Sequence, residues 1–244
     1  MWSVFSKLGK KLQLYFLLTE IFAITTYFAL KVIIAMKISG RKDVFYKNSH
    51  SWGRILLKVC GVSIQIVGIE NIQLGITYIY VSNHSSLFDI PVVLGMIPDN
   101  IRIMYKKELE KIPFMGWALK SSPFISVNRS DPRNAMAGLE EALKSVQEDV
   151  SVVIFPEGTR SKDGSLGAFK RGAFVLASRS GKTIIPITIV GTNKILPSNS
   201  FDFTRGQVKL IIGKPITAGN IVDRSDEKEL MNSVRSTIEL GLSM

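Results

Sequence analysis

Asn83-His84-Ser85-Ser86-Leu87-Phe88-Asp89 follows a run of β-branched and aromatic residues at positions 76–81. Such a run is typical of a buried strand. Asp89 and Pro91 then lie where the N-cap and the first turn of a helix are expected. The stretch therefore predicts a sharp turn from a strand into a helix, which is a building unit of layered α/β folds.

The two ionisable side chains in this turn, His84 and Asp89, are five positions apart. On a continuous helix such positions point to different faces, because neighbours are three or four residues apart. A turn allows the Asp89 carboxylate to fold back onto the His84 ring. That contact would hold one ring nitrogen as N–H and leave the other free as a base. The alternative is a structural histidine beside an aspartate that only caps a helix.

Charge is unevenly distributed along the 244 residues, which carry 31 Lys and Arg against 20 Asp and Glu. Residues 1–60 contain ten bases and two acids, a net charge of +8, whereas residues 61–244 have a net charge of only +3. The basic arm also holds a long apolar run, which favours an anionic membrane surface over nucleic acid as its partner. The lone Cys60 excludes an internal disulfide and a cysteine-rich metal site.

Residues 12–30 form a stretch whose single charged residue is Glu20. A spanning helix needs about 20 apolar residues, so this length is borderline. Lysines flank both ends, and a narrow polar stripe recurs at helical spacing. We therefore predict a helix that lies in one leaflet with both ends on the cytoplasmic side, and a single transmembrane anchor is the alternative. The stripe comprises Lys10, Gln13, Glu20, Tyr27 and Lys31.

A second helix is predicted after the break at Ser39-Gly40, with Asp43 as its N-cap. Apolar residues recur at helical spacing up to Val59, opposite a basic face. Residues 1–60 are therefore predicted to form a two-helix membrane-surface motif, and residues 61–244 a separate domain.

From Val62 onward, short apolar runs alternate with amphipathic stretches, which indicates a single α/β domain with helices flanking a mixed sheet. The predicted strands are residues 62–67, 76–81, 101–105, 124–127, 150–155, 184–190 and 208–212. The predicted helices are residues 90–96, 113–120, 132–147, 170–180 and 226–240, with Asp131 as the cap before Pro132.

Polar clusters follow three of these strands, and they contain Lys106, Arg129 and Arg160. Open α/β proteins usually build their sites in such turns, so these cations could converge with His84. Guanidinium groups match phosphate oxygens in a bidentate way. Neither G-x-x-x-x-G-K-[ST] nor G-x-G-x-x-G occurs, which indicates a phosphate on a substrate and not on a nucleotide. Each cluster taken alone could also be ordinary loop charge.

Two stretches in this order and spacing, Asn83-His84-(four residues)-Asp89 and Phe155-Pro156-Glu157-Gly158-Thr159-Arg160-Ser161, resemble the glycerolipid acyltransferase family. The chain looks in particular like the bacterial type of 1-acyl-sn-glycerol-3-phosphate acyltransferases. The similarity extends over residues 80–191 and includes residues 106–116, 124–129 and 185–186. The resemblance implies a membrane-bound enzyme that moves an acyl chain from a thioester to lysophosphatidic acid, giving phosphatidic acid for phospholipid synthesis.

In that scheme His84 is the base and Asp89 fixes its tautomer. Arg160, helped by Lys106 and Arg129, would hold the substrate phosphate within a segment that also contains Gly158 and Thr159. Glu157 would orient either Arg160 or a substrate hydroxyl. Because G-x-S-x-G is missing, a serine nucleophile is disfavoured. No H-E-x-x-H or Cys/His cluster indicates a metal.

The expected partners are membrane lipids, lysophosphatidic acid and a thioester co-substrate carried by acyl carrier protein or coenzyme A, with no further cofactor. The expected location is the cytoplasmic face of the cell inner membrane. The alternatives are an acyltransferase for another lysophospholipid or for glycerol 3-phosphate, a lipid hydrolase of the same fold, and a non-catalytic membrane-binding module. The sequence does not distinguish the two thioester donors.

Overall fold

The computed structural model describes residues 2–40, 42–128, 132–200, 202–218, 221 and 223–244. Two helices open the chain, α1 (Trp2–Ser39) and α2 (Lys42–Val59). The break predicted at Ser39-Gly40 is confirmed. Asp43 was predicted to be the N-cap of α2, but it lies inside the first turn because the helix already begins at Lys42. An acid there still favours the helix, since it faces the positive end of the macrodipole.

Seven strands form one sheet in the order β1-β7-β6-β2-β5-β3-β4. All neighbouring pairs are parallel except β6 and β7, so the predicted mixed sheet is confirmed. The strands are β1 (Val62–Val67), β2 (Tyr78–Ser82), β3 (Ile101–Lys106), β4 (Ile125–Val127), β5 (Ser151–Ile154), β6 (Thr183–Val190) and β7 (Gly206–Ile212).

Helices cover both faces of the sheet, as expected for buried parallel strands. One apolar core contains residues of α1, α2 and α3, and a second core on the other face contains residues of α5, α6 and α8. The helices after α2 are α3 (Asp89–Met96), α4 (Met115–Ser121), α5 (Pro132–Gln147), α6 (Gly172–Ser180), α7 (Thr192–Ile195) and α8 (Arg224–Leu242), with 3₁₀ turns at Ile69–Asn71 and Lys107–Lys111. The cap predicted at Asp131 lies outside the described residues.

Every predicted strand and helix is present in the domain, with ends that match or differ by one or two residues. The short α7 was not predicted, because four residues are too few to show a helical period. The parallel arrangement of β2, β5, β3 and β4 brings their carboxyl ends to one edge of the sheet. The turn at His84 and the polar clusters after β3, β4 and β5 therefore lie along the same edge.

Helix α2 packs very closely against α3, the helix that begins at Asp89. A Cβ added to Gly53 would lie 2.7 Å from both the Gly95 nitrogen and the Pro91 carbonyl oxygen. The His50 Nδ1 atom lies 2.6 Å from the Leu94 carbonyl oxygen, at the end of α3 where backbone carbonyls have no partner within the helix. The N-terminal helices are thus built into the packing of the helix that carries half of the predicted dyad.

We expect Gly53→Val to destabilise the protein, because overpacking a close backbone contact costs about 1–3 kcal/mol or more. Ser51→Val is the matched control, since Ser51 is exposed on the same helix and accepts the same β-branched side chain. Urea unfolding in detergent, followed by circular dichroism, compares the two. Equal losses of unfolding free energy would show that the Gly53 contact has no stabilising role.

Candidate active site

Strand β2 is extended past its last residue by the side chain of Asn83. Its Nδ2 donates to the Ile189 carbonyl oxygen at 2.9 Å, and its Oδ1 accepts from the Ile189 N–H at 2.8 Å. These two side-chain bonds take the place of the next backbone hydrogen bonds between β2 and β6, because the backbone of Asn83 already turns away from the sheet. The next residue, His84, is thereby held at the edge of the sheet.

The His84 ring contacts the Asp89 carboxylate, with 2.7 Å between Nδ1 and Oδ2. Asp89 is fully buried, and its Oδ2 also accepts from the backbone N–H groups of Ser85 at 2.8 Å and Ser86 at 2.9 Å. The Thr192 hydroxyl donates to its Oδ1 at 2.5 Å. The carboxylate therefore has four hydrogen-bonding partners, which a buried charge needs.

The prediction that Asp89 is a helix N-cap is wrong. The N-cap position of α3 is Phe88, and no side-chain bond is made from it. The Asp89 carboxylate points back into the preceding turn, because the N–H groups of Ser85 and Ser86 and the His84 ring converge there. This geometry excludes the reading in which the aspartate only caps a helix.

The tautomer of His84 follows from this contact. Because a carboxylate only accepts, Nδ1 carries the proton and Nε2 is left to accept one. The ring also stacks on Phe155, with 4.3 Å between ring centroids and 27° between planes. The side chain is 12% exposed, so the imidazole is fixed in orientation and still reachable from outside.

Glu157 connects the loop after β5 to this turn. Its Oε1 accepts from the His84 N–H and its Oε2 from the Gly167 N–H, both at 2.8 Å. The Ser161 N–H in turn donates to the His84 carbonyl oxygen at 2.8 Å. Both Glu157 oxygens therefore bond backbone groups, which differs from the expected role of orienting Arg160 or a substrate hydroxyl. Burial raises the pKa of Glu157, and the two backbone donors act against that rise.

Gly158, Thr159 and Arg160 continue this loop, in which Thr159 is exposed and Gly158 is half-buried. Gly158 has φ of 72°, a left-handed conformation that favours glycine. A Cβ at this position would lie 2.8 Å from the Nζ of Lys170. Lys170 was not predicted as a site residue, because no pattern in the sequence distinguishes it among 31 Lys and Arg. Arg160 is half-buried two residues after Gly158.

Thr192 is a second residue that the sequence analysis missed. It follows β6, the neighbour of β2, and its hydroxyl lies 2.5 Å from Asp89 Oδ1 and 3.1 Å from the Ser85 hydroxyl. The sequence does contain a signal for Thr192, because it is a polar residue directly after a predicted buried strand. His84 and Glu157 follow their own strands in the same way.

The remaining predicted cations are farther from the dyad or outside the described residues. Lys106 ends β3, two strands from β2, and strands are spaced about 4.8 Å apart, which places it about 10 Å away along the sheet. Its Nζ lies 3.4 Å from Glu108 Oε1, and the side chain is exposed. Arg129 falls outside the described residues. The structure therefore brings together His84, Asp89, Glu157 and the loop 158–161, and leaves Lys106 at the rim.

A cavity of about 460 Å³ opens beside this loop and is lined by the loop itself, including Glu157, Thr159, Lys162 and Lys170. Within the part of the chain that the structure describes, no cluster of three or more His, Cys, Asp or Glu could hold a metal ion. The arrangement is a base with a fixed tautomer next to a cationic loop. Chemically, it can remove a proton from a hydroxyl group whose molecule also carries an anion.

The model of the family described as Acyltransferase matches residues 63–190. A 1-acyl-sn-glycerol-3-phosphate acyltransferase of Helicobacter pylori is 30% identical over 191 residues, 78% of this chain and 79% of that protein. A chloroplastic 1-acyl-sn-glycerol-3-phosphate acyltransferase of Arabidopsis thaliana is 39% identical over 183 residues, 74% of this chain and 49% of that protein.

The chain thus spans about half the length of its chloroplastic relatives, 49% of the Arabidopsis protein and 57% of one from Brassica napus. Among solved structures, that of the 1-acyl-sn-glycerophosphate acyltransferase PlsC from Thermotoga maritima superposes with a TM-score of 0.79. It is 26% identical, and the match covers 94% of this chain and 96% of that one. The likeness therefore includes both N-terminal helices and the domain.

We expect Thr192→Val to lower the free energy of unfolding by about 1.5–3 kcal/mol, because a hydrogen bond to a buried carboxylate is lost. Thr188→Val is the control on the preceding strand β6: its hydroxyl is also buried but donates to the neutral Ile238 carbonyl oxygen at 3.4 Å. A loss of only about 0.5–1.5 kcal/mol is expected there. Urea unfolding measures both, and a larger loss for Thr188→Val would contradict the assignment.

Proposed function

Because this chain belongs to the acyltransferase family, we propose that it transfers a fatty acyl chain from a thioester to the free hydroxyl of 1-acyl-sn-glycerol-3-phosphate, giving phosphatidic acid. The observation that carries the proposal is the 2.7 Å contact between His84 Nδ1 and Asp89, held against a loop that contains Arg160. The names of the bacterial and plastid relatives support the choice of acceptor.

The reaction needs a base, because an alcohol is a poor nucleophile. His84 Nε2 takes the proton of the acceptor hydroxyl as its oxygen attacks the thioester carbon, and a tetrahedral intermediate with an oxyanion forms. When the intermediate collapses, the carbon–sulfur bond breaks and the imidazolium returns its proton to the thiolate. Asp89 stabilises the imidazolium between these steps, as an aspartate does in hydrolase triads.

The acceptor's phosphate is assigned to the cationic loop after β5. Arg160 offers a planar set of donors that matches phosphate oxygens, and Lys170 Nζ lies over the adjacent Gly158. Since β5 is next to β2, a phosphate bound here keeps the hydroxyl of the same molecule close to His84. Lys106, exposed at the end of β3, would extend the positive rim, and the acyl thioester would be carried by coenzyme A or acyl carrier protein.

Helix α1 is proposed to hold the enzyme on the cytoplasmic face of the inner membrane. Its segment Leu14–Ile38 has a mean hydropathy of 1.8 and is 17% buried, so by length and composition it could also cross a bilayer. Leu17 and Val32 belong to the apolar core that contains residues of α2 and α3, over about 22 Å of the helix. Because α1 is packed on the domain over this length, the contact favours a helix that lies in one leaflet over a helix that crosses the bilayer.

The proposed chemistry predicts that His84→Ala reduces turnover about 10²–10⁴-fold, the usual contribution of a general base. Asp89→Asn should lose activity as well, because the tautomer is no longer fixed. The assay supplies an acyl thioester and lysophosphatidate to purified protein, and circular dichroism verifies folding. His50→Gln is the control, since the second histidine contacts the Leu94 carbonyl oxygen at the far end of α3 from Asp89. Near-normal turnover by folded His84→Ala would disprove the mechanism.

The proposed phosphate contact predicts that Arg160→Ala weakens kcat/KM for lysophosphatidate about ten- to a hundredfold, the value of a lost charged hydrogen bond. Residual transfer to a monoacylglycerol, which lacks the phosphate, should change much less. Lys144→Ala is the control, an exposed cation on α5 that does not line this cavity. Equal losses on the two acceptors would show that Arg160 has a structural role.

A further inference from the structure

A row of aromatic side chains connects α1 to α4. The rings of Phe22 and Phe114 meet edge to face with 6.3 Å between centroids, and those of Phe114 and Trp117 with 5.1 Å. Phe22 is 57% exposed and Trp117 is 53% exposed, and Ile112 is exposed just before them. The exposed apolar face of α1 therefore continues onto the segment 112–117.

Lysines surround this apolar segment. Residues 106–120 contain four lysines and two acids, a net charge of +2, and all four lysines are exposed. Glu110 is half-buried: it accepts hydrogen bonds from Ser126 Oγ at 2.7 Å and Tyr105 Oη at 3.2 Å, and its Oε2 lies 4.0 Å from Lys120 Nζ. Glu108 is exposed and pairs with Lys106 at 3.4 Å. The outer surface of the segment is therefore apolar at its centre and carries a net positive charge around it. The lysines are Lys106, Lys107, Lys111 and Lys120.

This segment lies at the same edge of the sheet as the dyad. It begins where β3 ends, and β3 is parallel to β5, which is parallel to β2. Leu87, three residues after His84, is 56% exposed within the site turn itself. A planar partner resting on this edge would therefore meet the segment and the entrance to the site together.

We propose that Ile112, Phe114 and Trp117, with the four lysines around them, bind the interface of an anionic bilayer as a second membrane contact besides α1. Tryptophan prefers the headgroup level of a bilayer, and lysines next to it are attracted to anionic lipids. The inference rests on the proposed function in that α1 already holds the protein at a membrane. The second contact fixes rotation about the long axis of α1, so the dyad faces the lipid surface.

An acidic carrier protein is the other partner that a ring of lysines could attract. The observations favour lipid, because the centre of the surface is apolar and is continuous with α1 through the contacts of Phe114 with Phe22 and Trp117. A bilayer also presents anionic headgroups and apolar chains at the same place, and the segment offers partners for both.

The test uses the full chain with the substitutions Trp2→Phe and Trp52→Phe, so that Trp117 is the remaining tryptophan. This variant is added to phosphatidylcholine–phosphatidylglycerol vesicles that contain lipids brominated at shallow or deep acyl positions. We expect a blue shift and a loss of Trp117 emission, stronger with shallow bromines. A larger share of phosphatidylglycerol should increase the loss, and Lys111→Glu/Lys120→Glu should reduce it.

The control carries Leu74→Trp together with Trp117→Phe in the same background. Leu74 is 75% exposed and precedes β2, at the opposite edge of the sheet, so its emission should not be quenched. Unquenched Trp117 that stays open to aqueous iodide on vesicles would overturn the proposal. So would an emission change with acyl carrier protein and none with vesicles. The readout needs no substrate, so failure of the proposed acyl transfer leaves it unaffected.

Discussion

The buried carboxylate of Asp89 imposes the strongest constraint on this structure. A fully buried charge is tolerated only when it has a complete set of hydrogen-bonding partners. The loss of one partner leaves part of the desolvation cost uncompensated and destabilises the fold. Here the partners come from three places: the turn after β2, the His84 ring, and Thr192 after β6. The carboxylate therefore holds in place the turn that presents the base. Its role in orienting the imidazole follows from the same set of bonds.

The helix that begins at Asp89 is itself fixed from outside the sheet. Gly53 of α2 lies against the backbone of α3, and His50 and Arg54 contact the carbonyl oxygens of Leu94 and Gly95 at 2.6 and 2.8 Å. A side chain larger than hydrogen at Gly53 would push α3 away. The arm that we assign to the membrane, residues 1–60, is thus packed directly on the helix that positions Asp89. The orientation of the arm at a membrane therefore also determines the orientation of the site.

The sequence was sufficient for the strands, the longer helices and the turn, because these depend on local patterns of apolar and turn residues. The contact of His84 with Asp89 was also predictable, since both residues lie within one turn. The contacts of Glu157 and Thr192 are not predictable in this way, because their partners are 73 and 103 positions away in the chain. Those contacts depend on which strands are neighbours, and the order β6-β2-β5 cannot be read from local patterns.

Strand order also determines which cation could act on the acceptor that we propose. In lysophosphatidate only a few covalent bonds separate the reacting hydroxyl from the phosphate, so the two ends must bind close together. The loop after β5 meets this condition, because β5 neighbours β2 and the Ser161 N–H donates to the His84 carbonyl oxygen. Lys106 lies one strand farther out, about 10 Å from β2 along the sheet. Its exposed position suits attraction of anionic groups at the rim, and in the proposed reaction the loop that contains Arg160 would place the hydroxyl.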